Sequence, residues 1–422
     1  VALASGPTSI CSNAAFALST SGYAVGSTIS YQWQFLNTSN VWTNIAGETR
    51  PTYINNTGIT ATTQYRMLTI CSSNTSQSIS NTVTVALGAG LAPGVYTIDN
   101  NAQSTSTNFI NFKTATAALS CGVTGAVTFN VNPASGPYTE QVVVGKIPGA
   151  SAVNRIRFNG NGAVVQSETA QGDPGVFTFR GAKYVKVDSF TIRSLSDNQW
   201  VYGVRFVDTC RYDSLTRCFI DIRSIQSVNF SNTCGIMLSS NWNNVQNEPG
   251  SCAYTYVGQN HILGTNGEGG PYYRIVSGTN YAQNVNSDTA ITIDGNEIEN
   301  FNWGGIYSFS NNGVKIINND IHRTNKSGAM NFYGIYCWDG WNNINNNSSG
   351  NIEIVGNRIH DPANATVNNA VGTFYGIYTN SNYYNNNTNV DNGHTLIANN
   401  VIYNVQGTTN SGVVYGILFG NN

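Results

Sequence analysis

Charge is what this sequence has least of. Asp, Glu, Lys and Arg make up only 9% of its 422 residues, against roughly 25% in an average soluble domain. The formal charge is -2, from 19 Lys+Arg and 21 Asp+Glu. No field steers a polyanion and no basic stripe is present for one to follow, so a nucleic-acid partner is not expected. Long apolar runs are also missing. None approaches the roughly 20 residues that cross a bilayer, so no membrane span is expected. No basic-then-apolar leader opens the chain, and no initiator Met stands at its start. Two chemical signatures are absent as well. Without any Cys-x-x-Cys pair the eight cysteines do not read as a metal site, and without Gly-x-Ser-x-Gly no nucleophile elbow is present. No cofactor is expected.

Hydration must then come from Asn, Ser and Thr, a balance that suits a secreted β-rich protein better than a helical enzyme rich in Glu, Lys and Arg. Disorder is countered by 40% hydrophobic and 11% aromatic residues spread along the chain. The length provides for two to four domains.

From Pro7 to Leu87, short β-prone runs at Phe16–Leu18, Ile29–Phe35, Tyr65–Ile70 and Thr82–Leu87 are separated by Ser/Thr/Asn/Gly turns. Cys11, Trp33 and Cys71 follow the order of an immunoglobulin-type core, which predicts a β-sandwich over residues 4–88 with a Cys11–Cys71 disulfide. Trp33 and Trp42 read as packing. Tyr31-Gln-Trp-Gln, Val41-Trp-Thr-Asn-Ile-Ala-Gly and Thr63-Gln-Tyr-Arg resemble the bacterial Ig-like modules that occur in tandem on large surface proteins. Val1-Ala-Leu3 is similar to the closing Val83-Thr-Val-Ala-Leu87 and is expected to be the last strand of a preceding module. The sequence would then be a segment of a longer chain, with neighbouring Ig-like modules as partners.

After a linker at residues 89–94 the texture changes. The pattern apolar-x-x-Asn-x-Ile recurs at Asn260, Asn296, Asn319, Asn357 and Asn400, with Phe190 and Cys218 in the same place in two earlier copies. A second motif, aromatic-Gly-Ile/Val, falls at Gly203, Gly235, Gly305, Gly334, Gly376 and Gly416. The spacing of these repeats is too irregular for a helical solenoid, whereas a β-solenoid keeps its strands and lets its turns grow. Alternate strand residues point inward, and an Asn at one place in every coil can stack its amide on its neighbours as a structural ladder. The fold predicted for residues 95–422 is a right-handed parallel β-helix, continuing past Asn422, in an otherwise all-β chain. A short helix within Asn108–Leu119 would cap its first coil over about residues 95–125. Gly94-Val-Tyr-Thr-Ile, Gly125–Val131 and Asn154-Arg-Ile-Arg-Phe158 resemble the cap and first coils of β-helix domains in surface proteins exported by the type IX secretion system. That resemblance implies an extracellular, cell-surface location.

Eight cysteines suit an oxidising compartment. Cys210 and Cys252 each lie eight residues before a ladder position, so they should stack in adjacent coils and form a second disulfide, with Cys234 the competing partner. Cys218 reads as a buried thiol, and the pairing of Cys121 and Cys337 stays open. Asp213-Ser214 and Asp288-Thr289 look like the O-glycosylation sites of bacteria carrying this secretion system.

Three residues past each ladder position, the column Arg193, Asp221, Leu263, Glu299, His322, His360 and Tyr403 should face outward. Glu299, His322 and His360 form the candidate catalytic or metal group, and a solvated polar strand face is the plainer reading. Long turns carry Trp242, then Trp338, Asp339 and Trp341, then Tyr383 and Tyr384, among Asn amides at one phase of the coil. Rings that stack on sugar CH groups beside amides that bond hydroxyls suit carbohydrate. The Tyr307, Tyr336 and Tyr378 column reads as a packing stack. Together these features predict a non-enzymatic cell-surface adhesin or filament segment, with a glycan or surface ligand and a self-assembly or anchoring partner. The alternative is a polysaccharide-active lyase or glycoside hydrolase.

Overall fold

A computed structural model of the chain describes residues 2–228, 230, 232–238, 252–267, 269–278, 288–309, 311–327, 330–339, 351–364, 371–381, 395–405 and 412–420. It divides into two compact units, Val1–Leu91 with Ala117–Thr124, and Ala92–Thr116 with Gly125–Asn422.

The first unit holds two sheets over one core. Leu3–Ser5, Phe16–Ser21 and Thr52–Asn55 form an antiparallel sheet of three strands. The second sheet is built around Ile29–Leu36 and Thr63–Cys71, whose pairing sets Trp33 opposite Met67. Alternation turns Leu18, Trp33, Tyr65, Met67 and Val85 inward. The buried Trp33 indole donates to the Arg50 carbonyl at 2.9 Å, so its one polar atom is satisfied. Ala2 and Ala4 belong to this core, and Leu3 pairs with Ser21. The opening residues therefore form an edge strand of this sheet.

The disulfide differs from the expectation. Cys11 bonds Cys121, and Cys71 keeps its thiol beside the Ser73 hydroxyl. The reason lies in the register: the position facing Trp33 is taken by Met67, while Cys71 ends its strand, opposite Ile29. The segment Ala117–Thr124 brings Cys121 into this unit, a long-range return that no local spacing signals.

Among the described residues the strands of the second unit pair in parallel from coil to coil, giving three long sheets of 11, 9 and 9 strands and a further two-stranded one of Asp288–Thr289 with Asn311–Asn312. The repeating unit is three strands and three corners, a parallel β-solenoid. Its first sheet runs through Val185–Asp188, Ser214–Thr216, Tyr256–Gly258, Thr292–Asp294, Lys315–Ile317 and Ile352–Val355. The chain turns into the second sheet at the ladder Asn. The residue before it has positive φ in each coil from Ser189 to Asn399. Gly295 and Gly356 meet that demand without a Cβ, and Asn318 and Asn399 meet it as the residue types that best tolerate it.

Beneath this corner the amides interlock. Asn319 Nδ2 donates to Asn357 Oδ1 at 3.0 Å and to the Ile293 carbonyl at 3.0 Å, while its Oδ1 accepts from the backbone N–H and the Nδ2 of Asn296, both at 3.0 Å. The same pattern joins Asn260 to Asn296 and Asn357 to Asn400. At the early end Cys218 supplies only its backbone N–H to Asn260 Oδ1. Burial in apolar surroundings pushes the Cys218 thiol up to about 12.

The third sheet carries the glycine motif. A Cβ on Gly334 would lie 2.6 Å from the Gly376 carbonyl and 2.8 Å from Ile359 Cγ2, so the strand packs where only hydrogen fits. Cys234 and Gly304 occupy the position expected to be aromatic in two coils. One coil, at Tyr273-Arg-Ile275, departs from the motif. There the glycine is replaced by a wholly buried Arg274, which donates to the Glu299 carbonyl at 2.8 Å. Gly264 makes room for it, since a Cβ there would collide with Arg274 Nη2. Burial lowers the Arg274 pKa to about 9.

The helix is Phe112–Ser120. It starts later than the sequence suggests, because Asn108–Phe109 adds a short strand beside Thr97 and Ile98. Glu140 accepts from the Phe112 and Lys113 N–H groups at 2.9 Å each and Asn111 caps Thr114 N at 2.8 Å, satisfying donors that the first turn leaves open. Phe112 is fully buried, its ring against Tyr138, Phe158, Phe177 and Phe190 inside the first coils.

Candidate functional site

The second sheet gathers the histidines beside charged residues. Along its strands from Thr191–Ser194 onward an inward Ile is flanked by two outward residues, so the face carries two columns. One holds Phe219, His261, Glu297, Asp320, Arg358 and Val401. The other holds Asp221, Leu263, Glu299, His322, His360 and Tyr403. Three of the chain's four histidines stand on this face.

Glu299, His322 and His360 are direct register neighbours. The His322 and His360 rings stack at 5.0 Å, and His360 stacks on Tyr403 at 4.6 Å. Counting three residues past the Asn overlooks His261, Glu297 and Asp320. Their signal is simple: each follows a ladder Asn directly, and alternation puts that position outward with the one two residues on.

The two columns cross at the strand Glu297–Glu299. His261 lies beside Glu297 in register, yet its Nε2 reaches the diagonal Glu299 at 2.5 Å, with Nδ1 3.7 Å from Glu297. His322 lies beside Glu299, and its Nε2 is 4.0 Å from the diagonal Glu297. Thr324 Oγ1 is 2.8 Å from His322 Nδ1, which orients that ring. One coil further, His360 lies between Asp320 at 2.7 Å and Asp361 at 2.6 Å, while Arg358 pairs with Asp320.

Electrostatics separates these groups. The hydrogen bond to Glu299, against the opposing effect of burial, holds the His261 pKa above its usual value. Burial would raise Glu299, but the hydrogen bond and charge of His261, with His322 and Arg274 nearby, hold it below the ordinary carboxylate range. Burial, followed by the neighbouring His360, lowers His322. The coils on either side of Glu297–Glu299 thus hold imidazoles whose pKa values are shifted in opposite directions, a division of the kind acid–base chemistry uses. His261, Glu297 and Glu299 also bring one donor atom each within 4.8 Å of one another, as one ion requires.

The other expected residues fall elsewhere. Trp242, Trp341, Tyr383 and Tyr384 lie outside the described residues. Trp338 and Asp339 end the strand Met330–Asp339 on the third sheet, with their side chains outside the described atoms. In the tyrosine column Tyr336 and Tyr378 stack face to face at 4.8 Å and 4° while Tyr307 is tilted by 46° on Tyr336, and a second pair, Tyr333 and Tyr375, stacks at 4.4 Å and 7°. Rings that cover each other's faces offer a ligand their edges and hydroxyls, not the open π-surface that a sugar ring needs. Ser214 and Thr289 are half-buried, and the Asp before each is buried as a backbone acceptor, Asp213 from Val185 N at 2.8 Å and Asp288 from Cys252 N at 2.7 Å. No disulfide joins Cys210 to Cys252, although Ala253 N donates to the Cys210 carbonyl and the two are stacked neighbours. Cys210 Sγ instead points at the carbonyls of Phe179 and Val207, at 3.2 and 3.1 Å, and Cys252 Sγ at that of Phe206, at 3.7 Å. Adjacency along a sheet does not aim two Cβ–Sγ bonds at each other. Cys234 Sγ likewise faces the Ile236 carbonyl at 3.0 Å.

A family model described as a domain of unknown function (DUF8696) matches residues 2–89. No curated protein matches the chain. Among solved structures, the chain is similar to the Dettilon tailspike protein gp208, at 13% identity over 78% of this chain and 66% of that one, with a TM-score of 0.38. The match thus spans just under two thirds of the tailspike. It is similar also to the A-modules of two Azotobacter vinelandii mannuronan C-5 epimerases. For AlgE6 the identity is 13% over 79% of this chain and 91% of that one, with a TM-score of 0.23. For AlgE4 it is 13% over 79% and 89%, with a TM-score of 0.25.

Proposed function

We propose that this chain is part of a secreted cell-surface protein in which an immunoglobulin-like spacer precedes a right-handed, helix-capped β-helix that acts as a rigid rod for adhesion or filament building. The observation that carries this reading is the continuous side-chain ladder from Asn260 to Asn400. Each coil is bonded to the next through buried amides as well as backbone, so bending the rod must break polar pairs that water cannot replace. A ligand-binding edge would come from the turns carrying Trp242, Trp338, Asp339, Trp341, Tyr383 and Tyr384. A glycan array with the intact chain and its Trp338→Ala and Trp341→Ala variants tests that edge: a glycan lost by both variants supports it, and binding unchanged in both removes it.

One observation favours a second reading, a polysaccharide-active enzyme, lyase or glycoside hydrolase. Glu299, His322 and His360, with His261 alongside, combine a carboxylate with imidazoles of opposite pKa shift. Incubation with neutral and acidic polysaccharides, followed by product sizing and assay for unsaturated ends, decides it. Polymers left intact by the wild-type chain sink the enzyme reading, and cleavage lost in Glu299→Gln supports it.

A further inference from the structure

We propose that the side chains crossing the strand Glu297–Glu299 form a binding site for one divalent transition-metal ion, with His261, Glu297, Glu299 and His322 as its ligands. The placement follows from the solenoid itself. Alternation points Glu297 and Glu299 outward from one strand, and parallel register sets His261 over one and His322 under the other. Each imidazole then leans across to the opposite carboxylate, so one donor atom each from His261, Glu297 and Glu299 lies within 4.8 Å of the others, and His322 Nε2 from the next coil stands 4.0 Å from Glu297.

Distances and chemistry agree with an ion there. Metal–ligand bonds of about 2.0–2.2 Å put neighbouring donors of a tetrahedral site about 3.4 Å apart. His322 Nε2 lies 4.0 Å from Glu297, and His261, which gives an ion only one of its ring nitrogens, has a ligand atom within 4.8 Å of one on Glu297 and one on Glu299. The 2.5 Å contact of His261 Nε2 with Glu299 must widen as the ion replaces the proton shared there, and that proton leaves to solvent. The ligand rings are held from behind as metal sites require, by Thr324 on His322 Nδ1 and by Asn300 Nδ2 on Glu299 Oε2 at 3.3 Å. Among the described residues, the ion-pair partners of Glu297 and Glu299 are all histidines. The next group along the face differs, because Arg358 and His360 already neutralise Asp320.

Two nitrogens and two carboxylates select zinc or cobalt over calcium, which prefers six to eight oxygen ligands. Chelator-stripped full chain titrated with Co2+ should develop the visible absorption of a four-coordinate cobalt site, saturate at one ion per chain and lose the signal when Zn2+ is added. Glu299→Gln and His322→Ala should each weaken binding by about tenfold or more. Glu297→Gln, at an exposed position, repeats the test in a variant whose fold is not at risk, and Glu353→Gln, paired with Lys315 away from the site, should bind as wild type. Circular dichroism confirms that each variant is folded. The proposal is overturned by no saturable binding, by Co2+ affinity unchanged in Glu299→Gln and His322→Ala, or by displacement with Ca2+. The readout is metal binding itself, so its failure leaves the rod and enzyme readings to their own tests.

Discussion

Replacing Asn319 by Ala removes one rung from the middle of the ladder. The backbone N–H of Asn296 loses its acceptor, one Nδ2 hydrogen of Asn296 loses its acceptor, and the Ile293 carbonyl loses a donor. Asn296 and Asn319 are almost wholly buried, so water cannot repair the losses. Two orphaned donors at about 1–3 kcal/mol each give an expected loss of roughly 2–6 kcal/mol. Asn400→Ala deletes the same contacts to Asn357, but Asn400 is only half-buried and solvent reaches the vacated place. Its cost should stay at about 1 kcal/mol, the net worth of a hydrogen bond that water can replace. Because coils of a solenoid can open separately, the assay is native-state hydrogen exchange beside urea denaturation. In Asn319→Ala the amides of Asn296 and Asn319 should lose protection before those of the early coils. Equal costs for Asn319→Ala and Asn400→Ala, or a central cost below about 1 kcal/mol, would refute the view that the buried amides hold the coils together.

Gly334→Ala should destabilise by about 1–3 kcal/mol, because its Cβ meets the Gly376 carbonyl. Gly145→Ala, with nothing within 4 Å, should be nearly neutral, and thermal melts of the pair would expose any error in that packing argument. Burial raises the Asp213 pKa to about 8, with the Val185 and Arg211 N–H groups drawing it part of the way back. A raised folded-state pKa favours the neutral acid. This contribution to stability is therefore complete below the unfolded value of about 4 and is lost as pH rises through about 8. Asp213→Asn should flatten that decline, and an unchanged pH profile of the melting temperature would count against a buried neutral Asp213. Peptide mapping without reductant should recover Cys11 linked to Cys121, with Cys71 open to alkylation. A Cys11–Cys71 peptide would overturn that pairing. Closing a loop of 110 residues, the Cys11–Cys121 bond should contribute about 4 kcal/mol, measurable as the loss in Cys121→Ser.

The repeats make the solenoid legible from the residues alone, since the ladder Asn and the Ile after it each answer a local demand. The buried corner asks for an amide and the interior for a branched apolar side chain. The coil at Tyr273–Ile275 is not legible in this way, because Arg274 replaces the glycine and its compensation at Gly264 lies in the preceding strand's corner. Half of the polar face is also visible. Counting three residues past the Asn finds Glu299, His322 and His360, but His261 and Glu297 enter only when both outward positions of the strand are read.

By itself the sequence determined the β-rich class, the repeating coil and the columns that line up along it, because these follow from alternation and from the recurrence of one short pattern. Tertiary structure decided which neighbours touch. It sent Cys11 to Cys121 instead of Cys71, kept the Cys210 and Cys252 sulfurs on separate carbonyls, and leaned His261 and His322 across one strand toward opposite carboxylates. The physical reason is direction: register puts side chains side by side, while the aim of each Cβ bond and the burial around it decide what they bind.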